Sequence, residues 1–194
     1  GSQLLFAGIR FATAGIMVII ITSIISKKVL YPKKKSIGKV IIISLFQTVI
    51  QYFFYYIGLA RTSGVKASVI IGTSVFITLI LSSLIFKLEN LTTKKIVGCI
   101  IGFIGVMIIN MNGFSYDFSF TLMGEGFILI STVASAFSSV IMKKFSKDDN
   151  PMMLSGWQFF IGGIILATVG FSLGGRITFS SASTVILMLY LAFI

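Results

Sequence analysis

Gln47 and Gln51 stand four residues apart in the middle of a long apolar stretch, and Tyr55 follows at the same interval. Residues four apart share one face of a helix, so the two amides and the phenol form a single polar strip. An amide pair backed by an aromatic ring can hydrogen-bond and stack a small polar solute. The competing use of such amides is to bond a neighbouring helix and hold it in place. Ser74 with Thr78, and Ser131 with Ser135, repeat the four-residue spacing. Hydroxyls so placed either line a polar path or bond the carbonyl four residues back in their own helix. Tyr190 joins these as a further candidate lining residue.

Acid–base and metal chemistry find little material. The chain has no histidine and five carboxylates, of which Glu89, Asp117, Asp148 and Asp149 fall in polar connectors. Only Glu125 approaches an apolar stretch, near its start, where an acid favours the positive end of a helix. Its competing role is a proton relay. Intramembrane hydrolysis needs a histidine cluster, an aspartate pair or an activated nucleophile with its base. With none of these present, no enzyme activity, cofactor or metal is expected. Cys99 is the single cysteine, so no intrachain disulfide can form. Arg10 lies about two turns inside the start of its stretch, within reach of the interface by snorkelling.

The elements that must position these residues are apolar and long. Six stretches, 4–26, 37–60, 65–86, 95–112, 122–142 and 152–173, are followed by a shorter seventh, 181–194. Most reach the ~20 residues that cross a ~30 Å hydrocarbon layer. Hydrophobic residues make up 56% of the chain and charged residues 11%, well below the ~25% charged of a soluble domain. An all-α membrane protein, a polytopic helical bundle, is expected. The net charge of +11 does not signal nucleic acid, because the basic residues sit at stretch ends rather than among base-stacking aromatics.

Lysine marks every second connector. Lys27, Lys28, Lys33, Lys34, Lys35 and Lys39 follow the first stretch, Lys87, Lys94 and Lys95 the third, and Lys143, Lys144 and Lys147 the fifth. Those connectors hold twelve of the sixteen basic residues; Arg10, Arg61, Lys66 and Arg176 belong to the other side. The positive-inside rule makes the lysine connectors cytoplasmic, so the first stretch runs inward from outside. They also suit anionic lipid headgroups. A chain inserted with a cytoplasmic N-terminus needs one earlier crossing, and the seventh stretch falls short of a full span. Both ends are therefore expected to be truncated.

The chain also repeats. At a constant offset of 148, Gly8 matches Gly156, Phe11 matches Phe159, Gly15 matches Gly163 and Ile16 matches Ile164. The two segments are five crossings apart, so they traverse the membrane in opposite directions. An inverted five-helix repeat is the sequence mark of a secondary transporter with a midplane site between its halves. The expected halves are 1–113, lacking its first helix, and 121–194, lacking its last helices. Small residues suit close helix packing: Gly98, Gly102 and Gly105 in the fourth stretch, and Gly15, Gly162 and Gly163 in the repeat-related pair.

Several segments resemble the EamA-like family of the drug/metabolite transporter superfamily. They are Leu5-Phe6-Ala7-Gly8-Ile9-Arg10-Phe11, Tyr55-Tyr56-Ile57-Gly58-Leu59-Ala60, Leu88-Glu89-Asn90-Leu91-Thr92, Gly102-Phe103-Ile104-Gly105-Val106-Met107-Ile108-Ile109, and Ser155-Gly156-Trp157-Gln158 with Ile161-Gly162-Gly163. The resemblance implies a ten-helix fold of which this chain carries the second to seventh helices and part of the eighth. It implies that the third, fourth, sixth and eighth helices of the family line the cavity, which is what brings Ser74, Thr78, Ser131, Ser135 and Tyr190 into the candidate site. The family often has proline in the middle of its fourth helix; this chain reads Gly72-Thr73-Ser74-Val75-Phe76 there. Export of small metabolites such as amino acids across the cell membrane is the function the resemblance implies. The alternatives are a carrier of phosphorylated or nucleotide-linked metabolites, which needs midplane cations these stretches lack, and a non-transport scaffold subunit. Expected partners are a small-molecule substrate and membrane lipid, with a homodimer served by the glycine faces.

Overall fold

In a computed structural model, residues 2–110 and 121–176 can be described. The seventh stretch, with Tyr190, lies outside them, as does Asp117. Six helices result: α1 Ser2–Ser26, α2 Lys34–Leu59, α3 Gly64–Ile85, α4 Thr93–Asn110, α5 Leu122–Phe145 and α6 Pro151–Ser172. Each is long and apolar enough to cross a membrane. No strand occurs among the described residues. Exposed side chains are large and apolar: Ile25 is 72% exposed, Ile101 64% and Ile109 82%. Such surfaces belong in lipid, so the chain is a multi-pass membrane protein.

Local signals set the helix ends. The Asn150 side chain accepts the Met152 amide at 2.9 Å while Pro151 occupies the first helical turn of α6. The Ser63 hydroxyl accepts the Lys66 amide at the start of α3. α1 stops where Lys27 turns left-handed, at φ 49°, and the Lys28 amide reaches back to the Ser23 carbonyl at 3.2 Å. Lys87 does the same after α3. Glycine usually holds this position. Lysine tolerates it at a cost of about 1 kcal/mol and brings charge to the membrane edge.

Three helices depart from regularity where they carry polar residues. α2 widens into a π-helical stretch, Ser44–Ile50, α3 ends in another, Leu81–Ile85, and α5 begins with a third, Leu122–Gly126, which carries Glu125. α3 also breaks at Thr73, although no proline is present. The Thr73 hydroxyl bonds the Ile70 carbonyl at 2.6 Å, and its backbone amide tightens onto the same carbonyl. A threonine competing for its own helix's carbonyl thus interrupts the segment where the family often has proline.

The chain divides into two compact units. The first comprises 1–50 and 145–194. Its centre is an antiparallel contact between α1 and α6, in which Gly8 lies against Ala167, Gly15 against Phe160, Gly163 against Ala12 and Gly156 against Ile19. At Gly8, Gly15 and Gly163 a β-carbon would overlap the opposing backbone. Phe11 and Phe159 stack nearly parallel, with centroids 5.7 Å apart. The other side of α6 meets α2 at Gly162 and Thr48. Near the lysine connectors, Lys39 bridges Asp149 at 2.7 Å and Asp148 at 3.2 Å, and the Ser36 hydroxyl donates to Asp149. The Lys39 ammonium, then the Ser36 hydroxyl, hold the Asp149 carboxyl below the usual carboxylate range.

The second unit spans 51–144. Gly58 of α2 packs on the Gly124 carbonyl and Ile128 of α5. Ring pairs join its helices, Phe54 with Phe127 at 5.2 Å and Phe76 with Phe103 at 5.6 Å. One expectation fails here. A β-carbon at Gly98, Gly102 or Gly105 of α4 would meet nothing within 4 Å, so this glycine strip is not packed against another described helix. The reason is that Gly98 and Gly102 form part of a cavity wall.

Candidate functional site

That cavity has a volume of about 580 Å³ and lies wholly within the second unit. α3 contributes Ser74, Thr78 and Ser82, α4 contributes Lys95, Gly98, Cys99 and Gly102, and α5 contributes Ser139, Val140 and Lys143. The glycines leave room that any larger residue would take. Ser74, Thr78 and Ser82 are spaced by four and form a hydroxyl ladder along one face of α3. Ser82 is 5% exposed, and its hydroxyl has no hydrogen-bond partner. A buried hydroxyl left unpaired costs about 1–3 kcal/mol, which a bound polar group would recover.

Charge gathers at the connector end of the cavity. Glu89, from the connector between α3 and α4, pairs with Lys95 of α4 and with Lys143 of α5. Lys95 also donates to the Asn90 carbonyl at 3.2 Å. Two cations from two helices thus meet on one carboxylate, leaving one excess positive charge at a wall that is otherwise hydroxyl and apolar.

The sequence-derived candidates are distributed unevenly. Ser74 and Thr78 line this cavity. Gln51 and Tyr55, in the same unit, do not; Tyr55 instead packs edge-on to Tyr52 and Tyr56. Gln47 lies in the π-helical part of α2, in the first unit. The Oε1 atoms of Gln47 and Gln51 are buried without a hydrogen-bond partner. Ser131 is buried on α5, and neither it nor Ser135 reaches the cavity, whose α5 wall begins at Ser139. Ser82, Ser139, Glu89, Lys95 and Lys143 were missed by spacing alone. Ser82 and Ser139 continue the ladders begun by Thr78 and Ser135, a signal that was available; the ion cluster requires helices brought together from distant parts of the chain.

Two further polar groups stand apart. Gln158 of α6 is wholly buried, with both amide atoms unpartnered, one turn from the Gly162–Thr48 contact. Glu125 accepts the Thr121 amide at 2.8 Å and the Thr121 and Thr62 hydroxyls at 2.6 Å each, with Lys66 at 3.7 Å. It therefore ties the α2–α3 connector to the start of α5, beyond the helix-dipole role its position suggests. Arg10 lays its guanidinium over the neighbouring Phe11 ring, 4.8 Å from the centroid. Among the described residues, no group of histidine, cysteine and acid side chains is arranged to hold a metal ion.

Six apolar spans and a hydroxyl-lined cavity define a polytopic helical membrane protein rather than a single-span or peripheral one. The chain belongs to the EamA-like transporter family, whose sequence profile matches residues 2–111 and 122–194. It is 31% identical to an uncharacterized transporter of Archaeoglobus fulgidus over 85% of this chain and 56% of that protein. It is 30% identical to a WAT1-related chloroplastic protein of Arabidopsis thaliana, over 58% of this chain and 27% of that one. An uncharacterized transporter of Synechocystis is 26% identical over 84% and 53%, respectively. The chain thus spans about half the length, or less, of these relatives. No solved structure matches it significantly.

Proposed function

We propose that the protein is a secondary transporter of the cell membrane that exports small metabolites, such as amino acids, by alternating access, with its lysine connectors cytoplasmic. The observation that carries this reading is the exchange of contacts between α1 and α6. Shifted by 148, the contact of Gly8 with Ala167 becomes that of Gly156 with Ile19, and the contact of Gly15 with Phe160 becomes that of Gly163 with Ala12. Phe11 and Phe159, equivalent at the same offset, stack on each other. Two copies of one helix related by a two-fold axis in the membrane plane produce this reciprocity, which supports an inverted repeat. Inverted repeats permit one arrangement of helices to open outward and its mirror in topology to open inward. Counterflow of radiolabelled amino acids by the full-length protein in proteoliposomes tests the reading. Saturable exchange of at least one small metabolite is expected; absence of exchange across a broad metabolite panel, with folded protein in the vesicles, overturns it.

A further inference from the structure

The cavity of the second unit contains more than its hydroxyl ladder explains. Lys95 and Lys143 come from different helices and converge on the single carboxylate of Glu89 at its wall. Glu89 comes from a connector rather than a helix, so it can withdraw without unwinding a span. At the same end, in the last turn of α3, the Ser82 hydroxyl is buried and unpartnered, and the Ser82 carbonyl accepts the Leu88 amide of the Glu89 connector at 2.9 Å. Away from that end the wall carries Val75 and Leu79 beside the Ser74 and Thr78 hydroxyls, and it is widened by Gly98 and Gly102. Two cations and a vacant hydroxyl at one end, with a mainly apolar wall leading away from them, describe the complement of a small amphipathic acid.

We propose that Lys95 and Lys143 form the anion-binding end of this cavity, occupied at rest by Glu89 and loaded by a small carboxylate-bearing solute with a compact apolar body. The incoming carboxylate replaces that of Glu89 on the two ammonium groups, so charge pairing is conserved as Glu89 returns to water. A carboxylate bridging two ammonium groups makes charge-assisted hydrogen bonds that a neutral head group of the same size does not. The lysines lie on the side of the membrane where the lysine connectors are read as cytoplasmic, which is where an exporter collects its cargo. The assignment therefore rests on the export reading for its physiological meaning, though binding itself does not.

Cys99 lines the same cavity and supplies a reporter independent of transport. In the full-length protein, with any other cysteines replaced by serine, alkylation of Cys99 by N-ethylmaleimide is followed with and without millimolar valerate, pentylamine or pentanol. These share an apolar body and differ in head group. Valerate is expected to slow alkylation several-fold, the other two little. Glu89→Gln removes the resident competitor and should shift protection to several-fold lower valerate; Lys143→Gln should abolish it and Lys143→Arg restore it. Equal protection by pentanol, stronger protection by pentylamine, or weaker valerate protection in Glu89→Gln would each overturn the proposal. Should Lys143→Gln not fold, the Glu89→Gln titration decides alone. Protection without metabolite exchange retains the site and overturns the export reading; exchange of carboxylates without protection does the reverse.

Discussion

A buried amide oxygen without a hydrogen-bond partner costs free energy, and replacing it by an apolar group of similar size removes that cost. The Oε1 atom of Gln51 is in this state, as is that of Gln47, whereas the carboxylate of Glu125 is engaged by two hydroxyls and a backbone amide. The two kinds of residue should respond oppositely to mutation. Gln51→Leu is expected to leave the melting temperature unchanged or raised, because a buried amide oxygen without a partner gives way to an apolar group of similar size. Thermal melts check this. A lower melting temperature would make Gln51 a bond between helices instead. Glu125 has the pattern of a structural tie, since each of its oxygens already has a donor.

Helix pairs in this protein divide into close and open contacts, and glycine serves both. At Gly8 the backbone of Ala167 stands where a β-carbon would go, whereas at Gly105 nothing lies within 4 Å. Gly8→Ala should therefore destabilise the protein by about 1–3 kcal/mol through overpacking. Gly105→Ala should be neutral or slightly stabilising, since alanine is the better helix former by about 0.5–1 kcal/mol. Thermal denaturation of the two variants side by side tests the contrast, and equal effects would refute the contact between α1 and α6. The irregularities of α2 and α3 have the same physical logic. Thr73 and the π-helical stretches interrupt helices beside buried polar groups, where the backbone's bonding pattern has been altered.

At the scale of the molecule, charge asymmetry and apolar surface define how the chain lies in the bilayer. Twelve of sixteen basic residues fall in alternate connectors, and the exposed surfaces of α1 and α4 carry isoleucine. With the lysine side cytoplasmic, cysteines placed at Lys34 or Lys144 should react with an impermeant maleimide only after the membrane is opened. A cysteine replacing Arg61, on the opposite side, should react in intact cells. Labelling of Lys34→Cys from outside would invert the topology and remove the basis for an inward-facing collection site.

Length, hydropathy and charge along the chain established the environment, the number of described spans, the family and the alternation of lysine between connectors. Each is a local quantity, read from the sequence by itself. The sequence also marked Ser74 and Thr78, because a four-residue spacing is local to one helix. Only the tertiary structure decided that Gly8 and Gly163 are packed while Gly98 and Gly102 line open space, for a glycine's neighbours come from another helix. The same holds for Glu89. In sequence it is a connector acid; it becomes part of a candidate site because folding carries Lys95 and Lys143, six and fifty-four residues away, to one carboxylate.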